Sequence, residues 1–172
     1  MRARISPASK PRVWPKPLRL RHAEMPSFQS SREVAFTPQQ MFDLVADIEA
    51  YPQFLPLCEG LTIRRRLSNE AGQEVMVADM SVGYKSVRET FTSRVTLVPD
   101  TMDILVSYLE GPFSHLDNRW HFAPSETGCK VSFYIDYEFK SRMLGVLMGA
   151  MFDKAFRKFS EAFEQRAGEI YR

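Results

Sequence analysis

The sequence is poor in the residues that build metal, disulfide and nucleophilic centres. Its 172 residues include two cysteines and three histidines. Cys58 and Cys129 lie 71 positions apart, without the short spacing of metal ligands, so we interpret them as inert structural thiols of a protein from a reducing compartment. A glycine-rich phosphate loop and a serine elbow are also missing. These absences argue against the common nucleotide-binding, serine hydrolase and zinc-binding motifs.

Long apolar runs are missing as well. The longest, Met143–Phe152, has ten residues, which is about half of what a bilayer crossing needs. Hydrophobic residues make up 44% of the chain and charged residues 26%. These values are typical of a soluble globular protein, and the length predicts one domain with a substantial core.

The charge is distributed unevenly along the chain. Residues 1–24 carry seven basic residues and one acidic residue, a net charge of +6, whereas residues 25–172 carry 16 basic and 20 acidic residues, a net charge of −4. The acidic balance of the folded part argues against a dedicated nucleic-acid binder, and no DNA partner is expected. We favour a disordered extension upstream of a natural start at Met25. The alternative is an organelle transit peptide, whose amphipathic helix would be broken by the prolines between residues 7 and 17.

The last third of the chain combines a strand pattern with a long helix. From Lys130 to Lys140 apolar and polar residues alternate, which is typical of a strand with one face on a core. A helix of about thirty residues then begins at Ser141 and carries a wide stripe of Met and Phe. Because this helix cannot bury such a stripe alone, we expect it to lie across the concave face of the sheet.

The middle of the chain predicts the other elements. A short strand, Ser27–Phe36, precedes a helix whose start is marked by Thr37 and Pro38, and Tyr51-Pro52 interrupts that helix before one further turn. Turn signals then separate six strands: Leu61–Leu67, Glu74–Val82, Lys85–Val98, Met102–Leu109, Leu116–Phe122 and Cys129–Phe139. Short connections make neighbouring strands antiparallel. The expected fold class is therefore α+β, with a curved antiparallel sheet of about seven strands that closes on one long helix and forms a container.

Few polar residues are arranged for chemistry. Residues 111–120 are the one segment where histidine, aspartate and arginine gather. Strand alternation predicts that Asp117, Arg119 and His121 face solvent, where ion pairing explains them better than general-base catalysis. His115 lies at the loop end, and a role at the rim of a pocket remains an alternative for it.

Two further features each have two interpretations. We interpret the run Arg64–Arg66 as a solvated strand face, and contact with anionic lipid or RNA phosphate is the alternative. Gly145 and Gly149 lie inside the long helix, where each costs about 1 kcal/mol relative to Ala. Either the helix approaches the sheet closely at these positions, or the missing side chains leave room for a guest.

Five ordered motifs resemble those of the coenzyme Q-binding family, which belongs to the START-like, polyketide-cyclase-like helix-grip superfamily. They are YPxFLPLC at 51–58, VGYK at 82–85, FTSRV at 91–95, GPF at 111–113 followed by Leu116 and WxF at 120–122, and the ending AF at 155–156 with RA at 166–167. The resemblance covers Met25 to Arg172 and implies a helix-grip fold for this range. The family usually has Trp at the position of Leu57.

The resemblance implies a protein that binds ubiquinone (coenzyme Q) or a related polyisoprenoid lipid and supports respiratory electron transport and ubiquinone biosynthesis. It implies a non-catalytic lipid chaperone, with ubiquinone as a bound ligand and no other cofactor. The implied partners include a transient membrane surface and proteins of quinone biosynthesis or respiration. The implied location is the bacterial cytoplasm at the inner membrane, or the matrix side of the mitochondrial inner membrane in a eukaryote.

The same resemblance implies a competing function. A bacterial branch with these motifs is described as a toxin that blocks the association of ribosomal subunits, which makes the ribosome an alternative partner. An aromatase- or cyclase-type enzyme is a third, less favoured alternative. Buried titratable groups facing the cavity would favour the enzyme, and a basic patch at Arg64–Arg66 would favour the ribosome.

The inward-facing residues suit a polyisoprenoid. At about 0.8 kcal/mol per buried CH₂, one enclosed isoprene unit gives roughly 3–4 kcal/mol, and two or three units would outweigh typical association costs. No catalytic residue or metal ligand is expected. The candidate ligand-binding residues are apolar side chains of the mouth, the sheet and the helix, together with one helix glycine: Phe54, Leu55, Leu57, Trp120, Phe122, Phe133, Ile135, Leu144, Leu147, Met148, Gly149, Met151 and Phe152.

Overall fold

A computed structural model describes residues 26–172, so the expectations for residues 1–24 and for a start at Met25 lie outside the described residues. The elements, in chain order, are β1 (Ser27–Val34), α1 (Pro38–Ala46), a 3₁₀ helix (Ile48–Gln53), β2 (Cys58–Ser68), β3 (Glu74–Tyr84), β4 (Val87–Val98), β5 (Asp103–Glu110), β6 (Phe113–Pro124), β7 (Cys129–Phe139) and α2 (Arg142–Ile170).

These seven strands form one antiparallel sheet in the order β1-β7-β6-β5-β4-β3-β2. From β2 to β7 every strand pairs with its neighbour in sequence, as the short connections predict. The first strand, β1, lies on the other side of β7 and pairs with it from Ser27 to Val34. The predicted α+β fold, a curved antiparallel sheet with one long C-terminal helix, is confirmed.

Helix α1 is fixed at its start by a reciprocal cap. The backbone N–H of Gln40 donates to the Thr37 hydroxyl at 3.1 Å, and the backbone N–H of Thr37 donates to the Gln40 side-chain oxygen at 2.9 Å. This arrangement satisfies donors that would otherwise lack a partner at the helix start. The 3₁₀ helix that follows runs through Pro52 and ends at Gln53, earlier than the further turn that the sequence predicts.

Strands β2 and β6 begin earlier than the sequence predicts, and each has a β-bulge near its start. Strand β2 begins at Cys58 rather than Leu61, and its register against β3 shifts between Cys58 and Gly60. Strand β6 begins at Phe113 rather than Leu116, and its register against β7 shifts near His115. A bulge adds one residue to a strand, so the apolar alternation that marks the strand in the sequence is interrupted there.

Helix α2 begins at an N-cap, where the backbone N–H of Leu144 donates to the Ser141 hydroxyl. Its main contacts are with β7, β1 and α1. Near its C-terminus, Phe163 inserts among three aromatic rings, with centroid distances of 5.1 Å to Trp120, 5.3 Å to Tyr51 and 5.2 Å to Phe54. The helix thus crosses one side of the sheet and leaves a space between itself and the inner face of β2–β7.

Candidate functional site

The space between α2 and the sheet is an apolar cavity of about 110 Å³. The 3₁₀ helix and the loop after it close one side through Tyr51 and Leu55–Leu57, and the inner faces of β2–β7 form the floor. Helix α2 forms the roof with four aromatic side chains, Phe152, Phe156, Phe159 and Phe163. An apolar cavity of about 150 Å³ holds benzene. The present volume therefore suits about one isoprene unit, and a larger lipid requires that the cavity widen.

Two polar side chains other than tyrosine enter the cavity wall, Ser93 from β4 and Asn118 from β6. Their exposed fractions are 6% and 8%. The Asn118 side-chain amide donates to the backbone carbonyl of Tyr134 at 2.9 Å, which fixes its orientation. Ser93 presents a hydroxyl at this wall, and a hydroxyl can donate a hydrogen bond to a ligand oxygen.

The titratable side chains of the wall are the phenols of Tyr51 and Tyr137. Burial raises the pKa of Tyr51, with smaller contributions from Cys58 and Asp47, and its hydroxyl donates to the Val45 carbonyl. Burial also raises the pKa of Tyr137. Both phenols are neutral at physiological pH. Among the described residues that line the cavity there is no Asp, Glu, His, Lys or Arg, so the cavity suits a neutral ligand.

Six of the thirteen predicted ligand-binding residues line the cavity: Leu55, Leu57, Trp120, Phe133, Ile135 and Phe152. They come from four different parts of the chain and meet around one space. Leu57 has a φ of 68°, a left-handed conformation that is unusual for a residue other than glycine, and its backbone oxygen accepts from the Gly83 N–H. The loop before β2 is thereby attached to the end of β3.

The other seven predicted residues lie outside the cavity wall: Phe54, Phe122, Leu144, Leu147, Met148, Gly149 and Met151. Phe122 packs on Phe42 of α1 with a centroid distance of 6.0 Å, and Phe54 packs on Phe163. These two are core residues because α1 and the end of α2 cover them. That any of the seven touches a bound lipid stays a prediction.

The helix residues among these seven differ in their surroundings. Met148 is buried, whereas Leu144 and Met151 are half-buried against the core. Leu147 is 58% exposed because it lies on the outer face of the helix. The wide stripe indicates that α2 packs on the sheet, but not which turns roof the cavity. Those turns lie further along the chain, from Phe152 to Phe163.

Several wall residues were missed although the sequence carries a signal for them. Ala78, Met80 and Val82 on β3, and Phe91, Ser93 and Val95 on β4, alternate with outward-facing residues. Period-two alternation in these strands identifies the inner face. Ser93 is then recognisable as a polar residue at an inward position.

The two helix glycines do not mark a close approach to the sheet. A Cβ added at Gly149 would meet no other atom within 4 Å, and one at Gly145 would meet Phe139 at 3.8 Å, an ordinary contact. The close-approach interpretation is therefore wrong. Space is present at Gly149, although this residue is not part of the cavity wall.

The polar residues of β6 form an ion pair and two histidine–carboxylate hydrogen bonds away from the cavity. The pairs are Asp117–Arg119 at 2.6 Å, His121–Asp103 at 2.6 Å and His115–Asp136 at 2.7 Å. The prediction of ion pairing is confirmed for Asp117 and Arg119, and His121 contacts the Asp103 carboxylate at hydrogen-bond distance. His115 does not line the cavity, so the structure does not support the alternative role predicted for it at the rim of the pocket.

The arginine run on β2 is largely neutralised by carboxylates. Arg64 pairs with Asp79 at 2.6 Å. Arg66 pairs with Glu74 at 2.7 Å and with Glu49 at 3.2 Å. These contacts favour the interpretation of a solvated strand face over a free basic patch.

The two thiols have the properties of core residues. Cys58 and Cys129 are buried and free, and burial raises the pKa of each to about 11. They are therefore protonated at neutral pH, which makes them poor nucleophiles. Among residues 26–172, the structure contains no cluster of three His, Cys, Asp or Glu side chains suited to a metal ion.

Residues 34–164 match the family described as polyketide cyclase / dehydrase and lipid transport. The chain belongs to this family. Its description includes both enzymes and lipid carriers. The family match and the relatives below confirm the START-like, coenzyme Q-binding resemblance drawn from the sequence motifs.

Two relatives within this family carry different names. The chain is 36% identical over 149 residues to the ribosome association toxin RatA of Rickettsia prowazekii (strain Madrid E), which covers 85% of the chain and 99% of the relative. It is 32% identical over 148 residues to the mitochondrial coenzyme Q-binding protein COQ10 homolog B of Xenopus laevis, which covers 84% of the chain and 59% of the relative. The identities are too similar to separate the two.

Among solved structures, the chain resembles the crystal structure of the Zhui aromatase/cyclase from Streptomyces sp. R1128. The TM-score is 0.72, and the superposition covers 87% of this chain and 97% of that chain. At 19% identity this likeness establishes the shared fold alone. Within the described residues, no helix has the length and apolar character needed to cross a membrane.

Proposed function

We propose that this protein binds ubiquinone or a related polyisoprenoid lipid in the cavity between α2 and the sheet. In this proposal it acts as a non-catalytic lipid chaperone that supports respiratory electron transport and ubiquinone biosynthesis. The observation that carries the proposal is the wall itself, which is lined by aromatic and aliphatic side chains and contains no charged side chain among the described residues. Such a wall favours a neutral, mostly hydrocarbon ligand over a charged metabolite.

The size of the cavity limits how the lipid is held. At about 110 Å³ it is smaller than the roughly 150 Å³ that holds benzene, so a substituted quinone ring or several isoprene units require it to widen. The first turns of α2 are the part expected to move, since the roof is formed from Phe152 onward and Gly149 has open space beside it. A long isoprenoid tail is expected to remain partly outside the domain.

Ser93 and Asn118 provide a means to distinguish a quinone from a plain hydrocarbon. A quinone carbonyl that accepts from the Ser93 hydroxyl would gain one hydrogen bond, worth about 0.5–1.5 kcal/mol. A polyprenyl chain without oxygen could not accept this hydrogen bond. We therefore expect these two residues to contact the head group.

The proposed partners and location follow from the ligand. A polyprenyl quinone resides in a bilayer, so the protein must reach a membrane surface transiently and exchange the lipid with proteins of quinone biosynthesis or respiration. The proposed location is the bacterial cytoplasm at the inner membrane, or the matrix side of the mitochondrial inner membrane if the source is a eukaryote.

A second candidate function is inhibition of ribosomal subunit association. The observation that favours it is the 36% identity to a relative named for that activity. A free basic patch at Arg64–Arg66 would support ribosome binding, but Arg64 and Arg66 are paired with carboxylates. A sucrose-gradient assay separates the two candidates, because a protein that blocks association shifts ribosomes toward free subunits at stoichiometric amounts.

An aromatase- or cyclase-type activity is not part of the proposal. General acid–base catalysis requires a group whose pKa lies near the working pH. The titratable side chains of the wall are Tyr51 and Tyr137, and burial moves the pKa of each further from neutrality.

The test of the proposal is lipid identification combined with a titration. Organic extraction of the purified protein should release a polyprenyl quinone, and a short-chain ubiquinone should bind saturably. Ser93→Val should weaken quinone binding by about 2- to 10-fold, the equivalent of one hydrogen bond, while Ser107→Val on the outer face of β5 should not. Preparations that contain only phospholipid, with no saturable quinone binding, would contradict the proposal.

A further inference from the structure

The solvent-facing side of α2 changes character along its length. Helical spacing places Met143, Val146 and Leu147 on one face, and their exposed fractions are 74%, 81% and 58%. The next turns of the same face carry Lys154 and Lys158. Apolar side chains exposed this strongly, followed immediately by lysines, are typical of a helix that lies at a membrane interface.

The charge around this face differs in sign from the rest of the domain. Residues 140–158 contain five basic residues and one acidic residue, a net charge of +4. The other described residues contain 11 basic and 19 acidic residues, a net charge of −8. The single acidic residue of the segment, Asp153, is paired with Arg157. Within residues 26–172, an otherwise acidic domain thus carries a basic segment on α2, and this segment contains the most exposed apolar side chains of the described residues.

This surface lies at the same end of the sheet as the loop Leu55–Leu57, which closes one side of the cavity and is hydrogen-bonded to Gly83 at the end of β3. The Lys140 N–H donates to the Pro112 carbonyl at 2.9 Å, which fixes the start of α2 beside the β5–β6 turn. The β3–β4 turn lies at the same end and carries Tyr84, which is 42% exposed, with the Lys85 ammonium 5.3 Å from its ring centroid. Phe152 faces the cavity from within the same helical segment. The exposed face and the cavity roof are therefore two sides of one stretch of α2.

We propose that residues 140–158 form a docking surface for a bilayer that contains anionic phospholipid. In the docked state Met143, Val146 and Leu147 enter the boundary between head groups and acyl chains, and Lys154 and Lys158 contact lipid phosphates. This proposal rests on the proposed lipid-binding function for its purpose, since it brings the cavity to the membrane that supplies the lipid.

The observations favour a bilayer over two other occupants. A second copy of this chain would place one surface of net charge +4 against another, which is unfavourable. An RNA phosphate backbone would attract the lysines but would leave the three apolar side chains without a partner. A bilayer offers phosphates to the lysines and acyl chains to the three apolar side chains.

Vesicle flotation with the purified chain tests the surface. The vesicles are phosphatidylcholine alone or phosphatidylcholine with phosphatidylglycerol. Wild type should bind the anionic vesicles and release them at high salt. The double variant Met143→Gln/Val146→Gln should lose about tenfold in vesicle affinity. Lys154→Gln/Lys158→Gln should lose the preference for anionic vesicles.

The matched control is Ile170→Gln. Ile170 is an exposed apolar residue, 48% accessible, at the other end of the same helix, and its replacement should leave vesicle binding unchanged. Equal losses of vesicle affinity in the Met143/Val146 and Ile170 variants would overturn the proposal. So would a wild-type protein that binds neither kind of vesicle. A dimer that Met143→Gln/Val146→Gln converts to a monomer would instead assign the surface to a second copy. If the lysine variant loses ribosome binding but still binds vesicles as wild type does, the surface would be assigned to RNA instead.

A titration in detergent separates this proposal from the one on function. Each α2 surface variant should bind a short-chain ubiquinone in detergent as wild type does, because none of the replaced residues lines the cavity. Quinone binding without vesicle binding contradicts the docking surface and leaves the function standing. Vesicle binding without quinone binding contradicts the function and leaves the docking surface standing.

Discussion

The two ends of α2 belong to one continuous helix but meet different surroundings. At the C-terminal end Phe163 is 1% exposed, enclosed by aromatic rings from β6 and from the segment before β2. At the N-terminal end Met143 and Val146 are among the most exposed apolar side chains of the described chain. The difference teaches that the inward-facing apolar side chains of α2 hold the fold together, whereas an outward-facing apolar group at its N-terminal end is left exposed.

The reason for the difference lies in what each end packs against. Helix α2 contacts both the sheet and α1, and just after its C-terminal end the Tyr171 hydroxyl donates to the Gln40 carbonyl of α1 at 3.0 Å. The N-terminal turns follow directly from β7, and their outer side chains Met143, Val146 and Leu147 are exposed. Burial of apolar area should therefore stabilise the domain mainly through the C-terminal turns.

The largest effect is expected from Phe163→Ala. Removal of a fully buried phenyl ring from the cluster with Trp120, Tyr51 and Phe54 should lower the free energy of unfolding by about 3–5 kcal/mol. Urea denaturation of both proteins measures this change. A loss below about 1 kcal/mol would mean that the C-terminal end of α2 is not the stabilising half.

A smaller effect of opposite sign is expected from Gly149→Ala. The added Cβ meets no other atom within 4 Å, so the substitution should raise the free energy of unfolding by about 1 kcal/mol through helix propensity alone. Gly145→Ala is a matched variant whose Cβ meets Phe139 at an ordinary 3.8 Å, and it should also stabilise. Destabilisation by both substitutions would show that these turns need backbone freedom, which contradicts a regular helix at this end.

The smallest effect on stability is expected from Met143→Gln/Val146→Gln. Both side chains are mostly exposed, and glutamine is a good helix former, so the free energy of unfolding should change by no more than about 0.5 kcal/mol. Urea denaturation beside Phe163→Ala gives the comparison directly. A loss comparable to that of Phe163→Ala would show that the N-terminal end is packed in solution.

The sequence predicted this fold well where local signals are strong. The alternation in β7 and the cap at Thr37 and Gln40 give element type and position because each depends on residues close in sequence. The starts of β2 and β6 were predicted too late in the chain, because a β-bulge interrupts the apolar alternation there. Short-range patterns do not reveal a bulge, since it is defined by pairing with another strand.

The candidate site was predicted less completely. Trp120, Phe133 and Ile135 line the cavity as expected, because alternation in β6 and β7 identifies the inner face. On α2 the stripe is so wide that its outer member Leu147 and its inner member Phe152 look alike in the sequence. Only the position of the helix over the sheet, which depends on contacts with β1, β7 and α1, separates them.

The most direct measurement of the central claim is a short-chain ubiquinone titration of two neighbouring variants of β5. Val106→Phe places a ring into the cavity, whereas Leu105→Phe places the same ring on the outer face of the same strand. The cavity account predicts that Val106→Phe stays folded and loses quinone binding, while Leu105→Phe binds as wild type does. Unchanged quinone binding by a folded Val106→Phe variant would contradict the claim that this cavity holds the lipid.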